Sequence, residues 1–236
     1  MGINRNITSL KQQARGLLLG NYRKAISLLL ASNLMISTLT LLVGGSAGLS
    51  VISLTIDYLV SFILTLLGCI LQVGQYSFYL KLVCRQETQF KNLFEGFYLY
   101  PDKTLLSQFL IHLFTLLCLT PGLVLFILSY FSFIEISGII ILCILVIGAV
   151  LSLWIKLSFS QCYFLLLDFT KLSALQLMKR SRELMKGHKK RLFLLYLSFL
   201  PMTILCLFSF GIGFLFVTPY RFMTETLFYL DLVQNQ

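Results

Sequence analysis

The sequence predicts an all-α protein, a polytopic transmembrane helical bundle with amphipathic interfacial helices on its cytoplasmic side. Three observations carry that prediction. Hydrophobic residues make up 58% of the 236 positions and charged residues only 12%. A soluble domain carries about 25% charged residues, so this chain has too few to cover a water-facing surface. The apolar residues are gathered into runs long enough to cross a bilayer core at 1.5 Å per residue. The cations, finally, crowd alternate connections: Arg5 to Lys24 before the first run, Lys81 to Lys103 between the second and third, Lys171 to Arg191 between the fourth and fifth. The connections around Gly44 to Asp57 and Ser129 to Ser137 hold no lysine or arginine. This is the positive-inside pattern, and it puts the N-terminus in the cytoplasm. It also accounts for the net charge of +10 without a nucleic-acid partner.

The runs are expected to form one integral membrane domain, 1–236. The first span covers about Ala25 to Val43, too long for a signal-peptide core. The second covers about Tyr58 to Leu82. The third, about Leu105 to Ile127, contains Pro121-Gly122 and is expected to kink there. The fourth, about Gly138 to Leu167, is long enough to tilt. After Arg191 the chain stays apolar for more than one span. A tight turn at Gly211 to Gly213 divides it into about Leu192 to Phe210 and Phe214 to Leu232, giving six spans with both termini inside. Five spans is the alternative, because Pro219, Arg221 and Glu225 weaken the last segment.

The stretch Ala174 to Arg191 is basic and amphipathic. Ala174, Leu177, Met178, Ser181, Leu184 and Met185 share one helical face, and Lys179, Arg180, Arg182 and Lys186 take the other. With Lys189, Lys190 and Arg191 they form a candidate contact for anionic lipid headgroups. ARGLLLGNYRKAI from Ala14 aligns without gaps on SRELMKGHKKRLF from Ser181, matching Arg15 with Arg182 and Gly20 with Gly187. FKNLFEGFYLY from Phe90 is a weaker third copy, with Gly96 in the glycine position. The expectation is a threefold repeat of amphipathic helix plus hairpin over 7–83, 88–168 and 173–232, set against chance alignment of leucine-rich segments.

The strings LMKGHKKRLFLLYLSF and GIGFLFVTPYRFMTETLFYLDL, with LKQQARGLLLGNYRKAI and FEGF, resemble the DUF975 family of bacterial integral membrane proteins over nearly the whole chain. The spacing of Pro219, Tyr220, Thr224, Phe228 and Tyr229 departs slightly from the family's usual ending. The resemblance implies a bacterial cytoplasmic membrane protein and brings no catalytic residue.

Polar groups at membrane depth are costly unless paired or hydrated, so each is a candidate. Gln72, Gln75, Tyr76 and Tyr79 share one face of the second span; Ser152, Lys156, Ser160 and Tyr163 one face of the fourth; Thr218, Arg221, Glu225 and Tyr229 one face of the last. The candidate intramembrane polar site is Gln72, Gln75, Lys156, Arg221 and Glu225, with Lys156, Arg221 and Glu225 expected within ion-pair or water-bridge reach. The stripes serve either as such a site or as hydrogen-bonding glue between helices. GGSAG from Gly44 fits the G-x-S-x-G pattern with Ser46 as nucleophile. The histidines, His112 and His188, fall on the opposite side, and without a base that chemistry fails. The six cysteines are scattered without a CxxC pair and read as small buried hydrophobes, not as disulfides or zinc ligands. No cofactor is expected. The functional expectation is a non-enzymatic membrane protein that binds or translocates an anionic amphiphile, lipid or peptide. The rival is a scaffold, accessory subunit or immunity-type factor acting on another membrane protein or on a second copy.

Overall fold

The computed structural model describes residues 6–43, 51–99, 101–130 and 137–235, which form helices and no strand. The expected outer connection GGSAG, with Ser46, lies outside the described residues, as does most of 129–137. Eleven α-helices are present among the described residues: α1 Ile7–Leu18, α2 Tyr22–Val43, α3 Val51–Val83, α4 Glu95–Tyr98, α5 Pro101–Tyr130, α6 Gly138–Phe159, α7 Cys162–Asp168, α8 Ala174–Leu184, α9 Lys189–Leu197, α10 Leu200–Phe208 and α11 Phe214–Gln234. A 3₁₀ turn, Phe90–Phe94, leads into α4.

Among the described residues, five segments are long and apolar enough to cross a membrane: Tyr22–Leu42, Thr55–Val83, Pro101–Ser129, Gly138–Asp168 and Lys189–Phe208. They coincide with the first five expected spans. The third runs unbroken through Pro121, and the fifth breaks between α9 and α10, with Pro201 in the first turn of α10. The glycine turn expected after Phe210 is formed: Gly211 has φ +85° and its N–H donates to Cys206 O at 3.0 Å. It feeds α11, whose 21 residues span about 31 Å at 1.5 Å per residue. Arg221, Glu225 and Asp231 keep α11 out of the apolar set. Yet it is the central helix, buried almost continuously from Pro219 to Leu232 and packed on α1, α2, α3 and α10.

The amphipathic stretch forms one helix, a glycine turn of the kind expected there, and the start of the next helix. A capping box opens α8: Gln176 N–H donates to Ser173 Oγ at 3.4 Å and Ser173 N–H to Gln176 Oε1 at 3.0 Å. The helix ends at Leu184, the chain turns through Gly187 at φ +86°, and Lys189, Lys190 and Arg191 open α9. Positive φ is free of penalty only for glycine. The turn after α1 is built the same way. Gly20 has φ +87°, and Asn21 N–H donates to Leu18 O at 2.9 Å as His188 N–H does to Met185 O at 3.1 Å. The aligned pairs Leu10/Leu177, Ala14/Ser181, Leu18/Met185, Ala25/Leu192 and Leu28/Leu195 are all buried. The third segment differs. Gly96 lies inside the short α4, and its role is close approach, since a Cβ there would overlap the Ile70 carbonyl of α3.

The apolar faces of α1 and α8 belong to the protein core. Leu10, Ala14 and Leu18 face α11; Leu177, Ser181 and Leu184 are covered by α5, α6 and α7. Ser181 Oγ donates to Ser158 O at the end of α6, 3.0 Å away. Two N-terminal cations are likewise structural. Lys11 Nζ donates to Ser198 O at 2.9 Å and lies over the Phe199 ring; Arg15 Nε donates to the Tyr220 hydroxyl at 3.1 Å. Partial burial, with Arg15 close by, holds the Lys11 ammonium below the usual lysine range.

Candidate functional site

A polar groove of about 560 Å³ opens between α2, α3, α5 and α11, within the size range of small-molecule sites. Helical periodicity puts its lining on single faces. From α2 come Leu29, Asn33, Ile36 and Thr40, and from α3 Ser61, Leu64, Thr65, Gly68, Gln72 and Gln75. The fifth helix contributes Gln108, and α11 contributes Thr218, Arg221 and Phe222. The walls are leucine, isoleucine and phenylalanine; amides, hydroxyls and one guanidinium project between them. Thr40 sits near the end of α2 and Leu29 eleven residues earlier, so the lining runs about 16 Å along the helix. It reaches toward the ends of α2 and α3 that the segment 44–50 connects, away from the cationic segments.

Inside the groove Gln75 Nε2 donates to Ser32 Oγ at 2.6 Å, fixing one amide between α3 and α2. Gln108 Oε1 accepts from the Tyr163 hydroxyl at 2.8 Å. Arg221 Nε lies 3.4 Å from Glu225 Oε1, one turn along α11. The Tyr76 hydroxyl donates to Glu225 Oε2 at 3.0 Å, and Tyr196 faces the same carboxylate. Glu225 therefore sits behind Arg221, buried, while Arg221 faces the groove. Next to Gln75 and Phe222 a cluster of aromatic rings packs closely. Tyr79 and Phe222 lie 5.6 Å apart at 7°, Tyr76 meets Tyr163 at 5.7 Å, and Phe164 meets Tyr229 at 4.8 Å.

Of the five residues chosen from sequence, Gln72, Gln75, Arg221 and Glu225 come together here. Lys156 does not. It is exposed in the last turn of α6, and Glu225 is paired with Arg221 and Tyr76 instead. The chain breaks at Ser160-Gln161, so Tyr163 turns inward on α7 while Lys156 stays outside; a stripe drawn through a continuous helix does not survive that break. Reading only the returning spans missed Ser32, Asn33 and Thr40 on α2 and Gln108 on α5. An amide inside an apolar run was the available signal for Asn33 and Gln108. Tyr196 carried none.

The candidate headgroup contacts divide as well. Lys179, Arg182, Lys186 and Lys190 are exposed. Arg180 lies over Phe169 and Lys189 over Trp154. Arg191 is committed to Asp231, at 2.6 Å, with the aspartate buried. Cys69, Cys162 and Cys206 are buried as expected of small hydrophobes, whereas Cys84 and Cys143 are exposed.

No curated protein and no solved structure matches the chain. One family model, described as a protein of unknown function, matches residues 1–236. The chain, over its whole length, thus belongs to the DUF975 family.

Proposed function

We propose that this is a non-enzymatic protein of the bacterial cytoplasmic membrane that binds an anionic amphiphile of lipid type in the groove between α2, α3, α5 and α11. The carrying observation is the groove itself: apolar walls for a chain, and Asn33, Gln72 and Arg221 for a charged headgroup. An exposed guanidinium between membrane-spanning helices is costly unless an anion or water meets it. The aromatic cluster next to Gln75 favours binding over open conduction. In this reading the N-terminus is cytoplasmic, α11 completes a set of six spans, and the exposed cations of α8 and α9 face anionic lipid. The matching turns at Gly20 and Gly187 support a repeated helix–glycine–helix unit at 7–43 and 174–208. A scaffold role has one observation in its favour: the long apolar surface of α5 and α6, which a partner helix or a second copy covers as readily as lipid does.

The test is binding of fluorescent lysophosphatidylglycerol to the protein in nanodiscs, with lysophosphatidylcholine as the zwitterionic control. The anionic probe is expected to bind at least about tenfold more tightly, a difference of about 1.4 kcal/mol. Arg221→Gln removes the preference and Lys156→Ala keeps it. Equal affinity for both probes, or a preference that survives Arg221→Gln, rejects the site.

A further inference from the structure

Arg221 serves two places at once. It lines the groove with 47% of its side chain accessible, and it is the cationic partner of a glutamate whose own side chain is 8% accessible. Glu225 is absent from the groove lining and meets a ligand only through Arg221. As the pair stands, one positive and one negative charge cancel.

We infer that an anion entering the groove brings a proton with it, which Glu225 takes up as Arg221 turns to the ligand. This rests on the reading of the groove as an anion site. The charge balance is simple. An anion that pairs with Arg221 leaves Glu225 as an uncompensated carboxylate in a low-dielectric surrounding, a state several kcal/mol uphill. Adding one proton to a Glu225 carboxylate oxygen restores neutrality: the Arg221–Glu225 ion pair breaks, the Arg221–ligand pair and one O–H bond form, and the O–H bond broken is that of a hydronium ion or buffer acid of the bulk solution, whose conjugate base stays outside the protein.

The surroundings of Glu225 fit both of its forms. The titratable and charged groups that face it are Tyr76 from α3, Tyr196 from α9 and Arg221 from α11. A tyrosine hydroxyl is both donor and acceptor. Tyr76 donates to the carboxylate and can rotate to accept from the carboxylic acid, with Tyr196 facing the same group. The pair Arg221 and Glu225 is thus a site for one anion and one proton together, and the co-binding is electroneutral.

Lysophosphatidylglycerol suits the test because its phosphodiester keeps one negative charge between about pH 5 and pH 8. Two quantities are read on the nanodisc protein: proton uptake on mixing, from a pH-indicator dye in weak buffer, and probe affinity across that pH range. Wild-type protein is expected to take up close to one proton per probe bound. Its affinity falls by up to about tenfold per pH unit as pH rises, the limit for one linked proton. Glu225→Gln, which imitates the protonated acid, binds with the low-pH wild-type affinity at every pH and takes up no proton. Binding without proton uptake in the wild type overturns the coupling and leaves the groove reading standing. Uptake that persists in Glu225→Gln assigns the proton elsewhere and also overturns it. Failure of the wild type to bind the probe at all removes the groove reading and the coupling together. Should Glu225→Gln not fold, the wild-type proton count decides alone.

Discussion

Two halves of the bundle use apolar sequence in opposite ways. The α5–α6 side has the most hydrophobic windows in the chain, with mean hydropathy 2.3 and 2.9, and only 6% and 11% of those windows are buried. The α2–α3 side is less hydrophobic, at 1.9 and 2.0, and more buried, at 22% in each. Helix α11 extends the trend. It carries three charges and is buried almost throughout its second half. In water burial follows hydropathy; against lipid, which is as apolar as leucine, helices gain nothing by hiding leucine and associate through close packing and polar contacts. The most highly charged of the long helices is therefore the centre of the fold. Two of the polar groups that hold the centre together, Gln75 and Arg221, also line its groove.

This contrast is open to direct attack, and the largest effect belongs to the charged core. Asp231→Ala removes the buried carboxylate that pairs with Arg191 and is expected to cost about 3–5 kcal/mol. Urea or thermal unfolding in detergent measures it, and a loss below about 1 kcal/mol contradicts a stabilising pair. Next comes packing. Leu28→Ala, fully inside the core, should cost about 2–4 kcal/mol. Leu142→Ala on α6, exposed to the surroundings, should change stability by less than about 0.5 kcal/mol. Similar losses at the two positions would erase the distinction between the halves. The smallest effect is in the groove, where Gln75→Leu gives up the hydrogen bond to Ser32. Its stability cost is about 0.6 kcal/mol, so a much larger loss would mark Gln75 as structural, not as a ligand contact.

Much of this architecture was legible in the amino-acid order. Length and hydropathy are local properties, so the five apolar spans and the turn at Gly211 could be read with small errors at their ends. Gly20 and Gly187 stood out because glycine takes the left-handed turn after a helix without the steric penalty other residues pay. What the order could not tell was which face meets protein. The apolar faces of α1 and α8 have the pattern of interfacial helices, and a lipid-facing stripe and a core-facing stripe are spelled alike. Lys189 and Lys190 continue the charge run across a turn that only Gly187 betrays. Lys156 was grouped with Arg221 and Glu225 by charge and presumed depth, and the break at Ser160-Gln161 separates them. Arg221 and Glu225 were legible as a pair because their i, i+4 spacing is internal to one helix. Tyr76 and Tyr196 reach the carboxylate only through the folding together of α3, α9 and α11, which no local pattern encodes.

The claim on which the rest depends is that a water-accessible polar groove enters the bundle between α2, α3, α5 and α11. Cysteine accessibility tests it most directly, in intact membranes and on a background without the six native cysteines. Asn33→Cys and Gln72→Cys should react with a small charged methanethiosulfonate, slowed by prior addition of lysophosphatidylglycerol. Val146→Cys, on the exposed apolar face of α6, should stay inert because a thiol in lipid does not ionise. If Asn33→Cys and Gln72→Cys are as unreactive as Val146→Cys, there is no groove.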